Sequence, residues 1–160
     1  PEERRALERR YFDIWSNAFR AAIVSAPEIV FVAAAGNANS DSRFSEFIPG
    51  SFDLPNMVAV GAVDRGGDEA SFTSFGKVEV YANGVEVESV VPGGDRQKWN
   101  GTSMAAPQVA NLAAKLFARY PAFTVAQVRQ LIIEGADVKA VSNGRTIRLL
   151  NEKASFALAT

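Results

Sequence analysis

Hydrophobic positions in the first part of the chain change from a helical to a strand-like spacing. Between positions 2 and 26 the apolar residues recur at i, i+4 and i+7, as Leu7, Tyr11, Ile14, Trp15, Ala18 and Ala22. This spacing predicts an amphipathic surface helix, which Pro27 ends. An unbroken apolar run follows at 29–35 and closes with Gly36-Asn37. A run without alternation is typical of a strand buried on both faces in a parallel sheet, here leading into a loop.

The middle of the chain continues this strand pattern and then returns to a helical one. A second buried strand is predicted at 57–63, and shorter extended segments at 78–81 and 85–91. A long helix is predicted after Gly101, with an apolar face formed by Val109, Leu112, Ala113, Leu116, Phe117 and Tyr120. Alanines at 105, 106, 110, 114 and 118 cover much of its remaining surface, so we expect neighbours to approach it closely on all sides. Pro121 ends this helix.

Local signals mark one more helix and one more strand. Thr124 and Gln127 form a capping box for a helix that Gly135 ends, and a strand is predicted at 145–150. The predicted strands alternate with helices, and two of these strands are apolar on both faces. This pattern predicts an α/β fold with a mainly parallel sheet. No internal repeat, low-complexity tract or linker divides the sequence, so residues 1–160 are expected to lie in one domain.

Composition and charge exclude several classes of function. The 160 residues carry 17 basic and 18 acidic side chains, a net charge of -1, which does not provide the basic surface that nucleic acids require. The longest apolar run is far below the roughly 20 residues of a membrane-spanning helix, so no membrane span is expected. Cysteine is absent, which removes disulfides and thiolate metal sites. No metal ligand is identified from side chains.

The segment Asn100-Gly101-Thr102-Ser103-Met104-Ala105-Ala106-Pro107 carries the most chemical information. It places Ser103 in the first turn of a helix, where unpaired N–H groups and a partial positive charge favour an oxyanion beside the hydroxyl. Taken alone, a Thr-Ser pair at this position would only cap a helix. The whole string, however, resembles the nucleophile segment of the subtilase family of serine peptidases. Ala105 stands where the α/β-hydrolase elbow has a glycine, which argues against a lipase or esterase.

A second segment supports the same resemblance. Residues 32–37, Val-Ala-Ala-Ala-Gly-Asn, are similar to the subtilase strand that ends in the oxyanion-hole asparagine, here Asn37. A side-chain amide in that role lowers the barrier by about 3–4 kcal/mol. The resemblance implies that Ala34, Ala35 and Gly36 form one wall of the pocket for the side chain before the scissile bond, open to large apolar groups. It also implies that Asn100, Gly101 and Thr102 contact the substrate.

Further segments extend the resemblance over most of 29–136. Residues 57–64 and 70–76 are similar to the subtilase strand and turn between the oxyanion asparagine and the serine. In the family, Trp99 and Asn100 would flank the leaving-group side of the cleft, and Pro49-Gly50 would lie near the base of the specificity pocket. The stretch 52–57 resembles a loop that holds a weak structural calcium ion through backbone carbonyls. The implied fold is the three-layer subtilisin-like fold.

The chain departs from the family in its acid–base residues. A subtilase needs an aspartate and a histidine before the oxyanion asparagine, but this chain contains no histidine. We therefore expect residues 1–160 to be the C-terminal half of a catalytic domain. The expected partners of this chain are the N-terminal half of the same domain and a polypeptide substrate. The chain alone is expected to be inactive, because an unactivated serine is a poor nucleophile.

Two other interpretations remain open. A sedolisin-like peptidase would use an upstream glutamate and aspartate instead of histidine, although Met104 favours the subtilisin side. A pseudo-peptidase would keep the fold as a binding or structural module, although Ser103 and Asn37 are both retained. A nucleotide-binding domain is disfavoured, because neither glycine-rich phosphate motif is present. The compartment is not encoded here, and a secreted or cell-envelope location is expected from the resemblance only.

Overall fold

The computed structural model describes residues 2–160, which form four helices, a five-stranded sheet and a separate two-stranded hairpin. The helices are α1 (Glu2–Val24), α2 (Thr102–Arg119), α3 (Val125–Glu134) and α4 (Glu152–Leu158). The strands are β1 (Phe31–Ala34), β2 (Met57–Val63), β3 (Val80–Asn83), β4 (Val87–Val90), β5 (Arg96–Trp99), β6 (Asp137–Ala140) and β7 (Thr146–Leu149).

The main sheet has the order β1-β2-β3-β7-β6 and is parallel except for β6. This confirms the predicted α/β fold with a mainly parallel sheet. The carboxyl ends of β1, β2, β3 and β7 therefore lie along one edge of the sheet, where α/β proteins place their functional groups. The loop carrying Asn37 leaves that edge from β1, and α2 begins beside it at Thr102.

The two faces of the sheet bury different side chains, as the alternation of a pleated strand requires. Every residue of β2 is buried, and Val58, Val60 and Ala62 pack with the apolar face of α2 in the largest core cluster. Met57 packs on the opposite face with Ile23 of α1 and Phe52. Helices α2 and α3 thus cover one face of the sheet, and the end of α1 with the loop after β1 covers part of the other, which gives three layers.

The surface of α2 is only partly covered. Val109, Leu112 and Leu116 are buried against the sheet, but Ala110 and Ala114 are exposed. The expectation of close packing on all sides is therefore wrong for this alanine face, because no element within residues 2–160 packs on it.

The long helix α1 forms as predicted, yet its apolar face is exposed. Leu7, Tyr11, Ile14 and Trp15 are each more than half exposed, and Ile23 is the buried residue of this helix. Arg9 joins the helix to the loop between β1 and β2 through an ion pair with Glu46 (2.8 Å). Nowhere in residues 2–160 does a helix combine the length and apolar character that crossing a bilayer requires.

Candidate active site

Ser103 lies in the first turn of α2 and is exposed. Gly101 precedes the helix, and its N–H donates to the Gly84 carbonyl (2.8 Å), which fixes the start of α2 against the segment after β3. The serine hydroxyl is therefore presented at the edge of the sheet, next to the free N–H groups of a helix N-terminus.

Asn37 is placed beside this helix start by the turn at Gly36, whose φ of 104° favours glycine. The Asn37 Oδ1 accepts hydrogen bonds from both the N–H and the hydroxyl of Thr102, each at 2.9 Å. With Oδ1 engaged in this way, Nδ2 is left to donate. It lies 3.3 Å from the point where a β-carbon on Gly101 would be. The amide N–H₂ group is thus held next to the segment that carries Ser103.

Thr102 completes this arrangement from the protein interior. Its side chain has no exposed surface, and its hydroxyl accepts from the Gly36 N–H (3.2 Å) while donating to Asn37. We call the three residues Gly36, Asn37 and Thr102 the threonine clamp. Thr102 was expected among the substrate contacts, but its side chain lies behind Asn37, where it orients the asparagine.

The backbone of the Asn37 loop is also held from its other side. Ser74 donates its N–H to the Gly36 carbonyl (2.9 Å), and its hydroxyl accepts from the Ala38 N–H (3.4 Å). Two further backbone bonds join Phe75 to Ser40 (3.0 Å) and to Ser42 (2.7 Å). The loop is therefore clasped between α2 and residues 72–76, which limits the movement of Asn37.

A charged pair lies farther along the same loop. The Arg43 guanidinium and backbone N–H bond to the Asp41 carboxylate, and these hydrogen bonds lower the pKa of Asp41 to about 2. A carboxylate with so low a pKa is a weak base, and its lone pairs are already bonded to Arg43, so Asp41 is poorly suited to accept the Ser103 proton.

The residues expected to form the pocket wall, Ala34, Ala35 and Gly36, have close neighbours within the chain. Ala35 is buried, and the backbone of Gly50 presses on it so closely that a β-carbon at Gly50 would lie 2.3 Å from the Ala34 carbonyl oxygen. Two ring carbons of Phe47 lie 3.2 Å from the point where a β-carbon on Gly36 would be. The wall thus carries an aromatic ring at Gly36, which the small residues alone did not indicate.

The other side of Ser103 is bounded by the β4–β5 hairpin. The Asn100 side chain accepts from the Glu86 N–H (2.7 Å), and Trp99 is exposed at the end of β5. An open groove of about 470 Å³ reaches from Ser103 past Met104 to Glu152. Asn100 therefore braces the hairpin through its side-chain oxygen.

The described residues bring the exposed Ser103 and the Asn37 amide to the same helix start but include no imidazole base, since the chain contains no histidine. The carboxylates in the groove are engaged elsewhere: Glu88 pairs with Arg96, and Glu152 pairs with Lys115 at 2.9 Å. Asn37 Nδ2 and the Ser103 N–H together can stabilise a negative charge on an oxygen beside Ser103.

The loop expected to hold calcium does not fit a cation. The Lys77 ammonium donates to the Ser51 carbonyl at 3.1 Å, which places a positive charge at the start of this loop. Carbonyls within the stretch are also engaged, since those of Leu54 and Asn56 accept from backbone N–H groups. Among residues 2–160 no group of three or more His, Cys, Asp or Glu could hold a metal ion.

Sequence reasoning missed two residues of this site, Ser74 and Phe47. Ser74 had a weak signal, because two small hydroxyl residues stand between phenylalanines in the segment Phe72-Thr73-Ser74-Phe75. Phe47 had none, because its contact with Gly36 depends on the path of the intervening loop.

Comparisons with known proteins agree with this geometry. A sequence model described as the subtilase family matches residues 9–152. The chain is 45% identical over 102 residues to subtilisin amylosacchariticus of Bacillus subtilis subsp. amylosacchariticus, an alignment that covers 63% of this chain and 26% of that protein. It is equally identical over 103 residues to a subtilisin of Bacillus pumilus, covering 63% of this chain and 37% of that protein.

Solved structures give the same result for the fold. A cold-adapted subtilisin-like serine proteinase superimposes with a TM-score of 0.74 at 31% identity, over 86% of this chain and 49% of the other. A protease from Pseudoalteromonas arctica gives 0.76 at 26% identity, over 91% and 46% of the respective chains. The chain therefore spans about a quarter to a half of the length of the proteins it matches.

Proposed function

Since this chain belongs to the subtilase family, we propose that it supplies the serine and the oxyanion hole of a serine endopeptidase that hydrolyses peptide bonds. The observation that carries the proposal is the threonine clamp beside the exposed Ser103. An amide whose oxygen is fixed by two donors keeps its own N–H₂ group pointing one way, and such preorganisation is what an oxyanion hole requires.

In the proposed reaction, the Ser103 hydroxyl attacks the carbonyl carbon of the scissile bond and gives up its proton to a base. The carbonyl oxygen becomes negatively charged and is held by Asn37 Nδ2 and the Ser103 N–H. Collapse of this intermediate breaks the C–N bond, the amine leaves with a proton, and an acyl ester remains on Ser103. Water then hydrolyses the ester by the same steps.

The base is proposed to lie outside residues 1–160. No histidine is present to accept the Ser103 proton, and the chain corresponds to 26–37% of the two curated relatives described above. We infer that an N-terminal part of the same catalytic domain supplies an aspartate and a histidine and packs beside Ser103. The secreted or cell-envelope location expected from the family stays a prediction.

The test is a peptidase assay of the full-length protein and three variants. Ser103→Ala is expected to abolish turnover. Asn37→Ala is expected to lower kcat by about 10²–10³-fold with little change in KM, because its amide binds the oxygen most strongly in the transition state. Ser142→Ala, in the exposed turn between β6 and β7, is the matched serine control and should retain activity. Full activity of Ser103→Ala would refute the proposal.

A second assay uses residues 1–160 alone. Turnover is expected to be undetectable, since the serine lacks its base. Hydrolysis by this chain that disappears in Ser103→Ala would show that the base lies within residues 1–160. Reading the coding sequence upstream of Pro1 separates the remaining interpretations. Asp and His motifs there would support a subtilase triad, whereas Glu and Asp on one helix would support a sedolisin-like enzyme. The absence of both patterns would support a pseudo-peptidase.

A further inference from the structure

An aromatic ring lies against the wall that faces the acyl side of the cleft. The Cγ and Cδ1 atoms of Phe47 are 3.2 Å from the point where a β-carbon on Gly36 would lie. Gly36 immediately precedes Asn37, and its N–H is held by Thr102. The ring is therefore one residue away from the oxyanion donor in a part of the chain that other contacts keep rigid.

The position of Phe47 is fixed by its own backbone neighbours. The Phe47 carbonyl accepts from the Ser51 N–H (2.8 Å) in a tight turn, and the next residue, Ile48, packs with Ile23 and Met57 under the sheet. Gly50, in the same turn, presses on Ala34 and Ala35. The turn is thus tied to the wall at several points, which fixes the backbone position from which the Phe47 ring extends.

Part of the Phe47 ring stays accessible beside this wall. Phe47 is 47% exposed although one part of its surface touches Gly36. The resemblance to subtilases implies that a peptide whose carbonyl oxygen reaches Asn37 places the side chain before the scissile bond alongside Ala34, Ala35 and Gly36. In that position the side chain and the Phe47 ring would share the space next to Gly36.

We propose that Phe47 determines specificity by filling part of this pocket, so that the protein selects peptides with a small side chain, such as alanine or serine, before the scissile bond. The inference rests on the proposed function, since it takes the oxyanion site as the anchor of the peptide. A large aromatic side chain at that position would overlap the Phe47 ring, whereas a methyl group would not.

The test measures peptide binding separately from turnover. The full-length Ser103→Ala protein is titrated calorimetrically with two matched peptides, one with alanine and one with phenylalanine before the scissile bond. The alanine peptide is expected to bind at least about 10-fold more tightly. Adding Phe47→Ala should improve binding of the phenylalanine peptide about 10- to 100-fold. Binding of the alanine peptide should change less than about 3-fold.

Phe44→Ala is the matched control, because Phe44 belongs to the same loop and is 85% exposed. It should leave both affinities unchanged. The inference would be overturned if the protein with Phe47 intact bound the phenylalanine peptide more tightly than the alanine peptide. It would also be overturned if Phe47→Ala changed both affinities equally, or if neither peptide bound. If the expected pattern appears but the parent protein cleaves neither peptide, the specificity pocket stands and the proposed peptidase activity fails.

Discussion

At the scale of single residues, the hydroxyl of Thr102 makes two hydrogen bonds that its position next to Ser103 in the sequence does not reveal. It accepts one hydrogen bond from Gly36 and donates one to Asn37, with no contact with solvent. Removing it leaves the buried Gly36 N–H without its acceptor, which costs about 1–3 kcal/mol. The same change frees the Asn37 amide to rotate.

Thr102→Val tests this role in the full-length protein. The change keeps the side-chain shape, and we expect kcat to fall about 10-fold or more with KM nearly unchanged, since the oxyanion donor becomes less well oriented. Thr102→Ser retains the hydroxyl and should keep most of the activity. Retained activity in Thr102→Val together with a loss in Thr102→Ser would show that the methyl group, rather than the hydrogen bonds, is what matters.

Asp41 gives a prediction about acid stability. Its pKa falls from 3.8 to about 2 on folding because Arg43 bonds to the carboxylate. A lowered pKa means that this contribution to stability is present above about pH 4 and is lost as the pH falls through about 2. Asp41→Asn should therefore be less stable at neutral pH, with a flatter dependence between pH 4 and 2. Urea midpoints at pH 7, 4 and 2 measure this, and parallel curves for both proteins would contradict it.

The residues of the site were predictable to different degrees. Ser103 and Asn37 were identified because each stands in a continuous string whose local geometry follows from the backbone. The orienting role of Thr102 needed the pairing of two segments 65 residues apart. Phe47 needed the path of a whole loop, which no local pattern encodes.

At the scale of elements, periodicity found the buried segments and missed exposed ones. The helices α1, α2 and α3 and the strands β1 and β2 all form near their predicted positions. The missed strand β5 is exposed at all four residues, Arg-Gln-Lys-Trp, and has no apolar alternation to detect. β6 and the short helix α4 also bury little of their own surface. Strand pairing and helix packing, rather than sequence pattern, define these three elements.

The loop between β1 and β2 gives a prediction about cations. Lys77 holds the Ser51 carbonyl from outside the loop, so a bound calcium ion is not needed there. In residues 1–160, EDTA should leave the melting temperature unchanged, whereas Lys77→Met should lower stability by about 1 kcal/mol through loss of this hydrogen bond. Lys98→Met, in the exposed strand β5, is the control. A lower melting temperature of the unaltered chain in EDTA would show that a metal ion does bind.

At the scale of the whole molecule, one buried carboxylate joins the β6–β7 hairpin to the active-site side. The Glu69 side chain is 1% exposed and pairs with Arg145 at 2.7 Å. It also accepts a hydrogen bond from the Tyr81 hydroxyl (2.9 Å). Burial is the main cause of the raised pKa of Tyr81, and the charge of Glu69 and this hydrogen bond raise it further. Arg145 in turn stacks on Phe75 at 3.8 Å, in the segment that clasps the Asn37 loop.

Glu69→Gln should therefore destabilise the fold by about 1–2 kcal/mol, because it removes the charge of a buried carboxylate that accepts hydrogen bonds from Tyr81 and from the partly exposed Arg145. Glu88→Gln removes an exposed ion pair with Arg96 and should change stability by less than about 1 kcal/mol. Denaturant unfolding of both variants gives the comparison. Equal effects would show that the Glu69 cluster is as weak as a surface pair.

The architecture was predictable as a class but not as an arrangement. Buried strands followed by helices indicated a mainly parallel α/β sheet, as observed. The position of β7 between β3 and β6 could not be predicted, because neighbouring strands in a parallel sheet need not be neighbours in sequence. The solved relatives share this fold over nearly all of the chain.

The place of β7 has a consequence for the order of events on the ribosome. This strand is synthesised after β3, β4, β5, α2, α3 and β6, yet it pairs with β3 inside the sheet. Until it emerges, β3 keeps an open edge, and the nascent chain has an incomplete template for strand addition by other chains. Pairing between such distant segments is also slow. We therefore expect β3 to stay unpaired on one side while residues 84–145 are synthesised, and this interval is when the nascent chain most needs a chaperone.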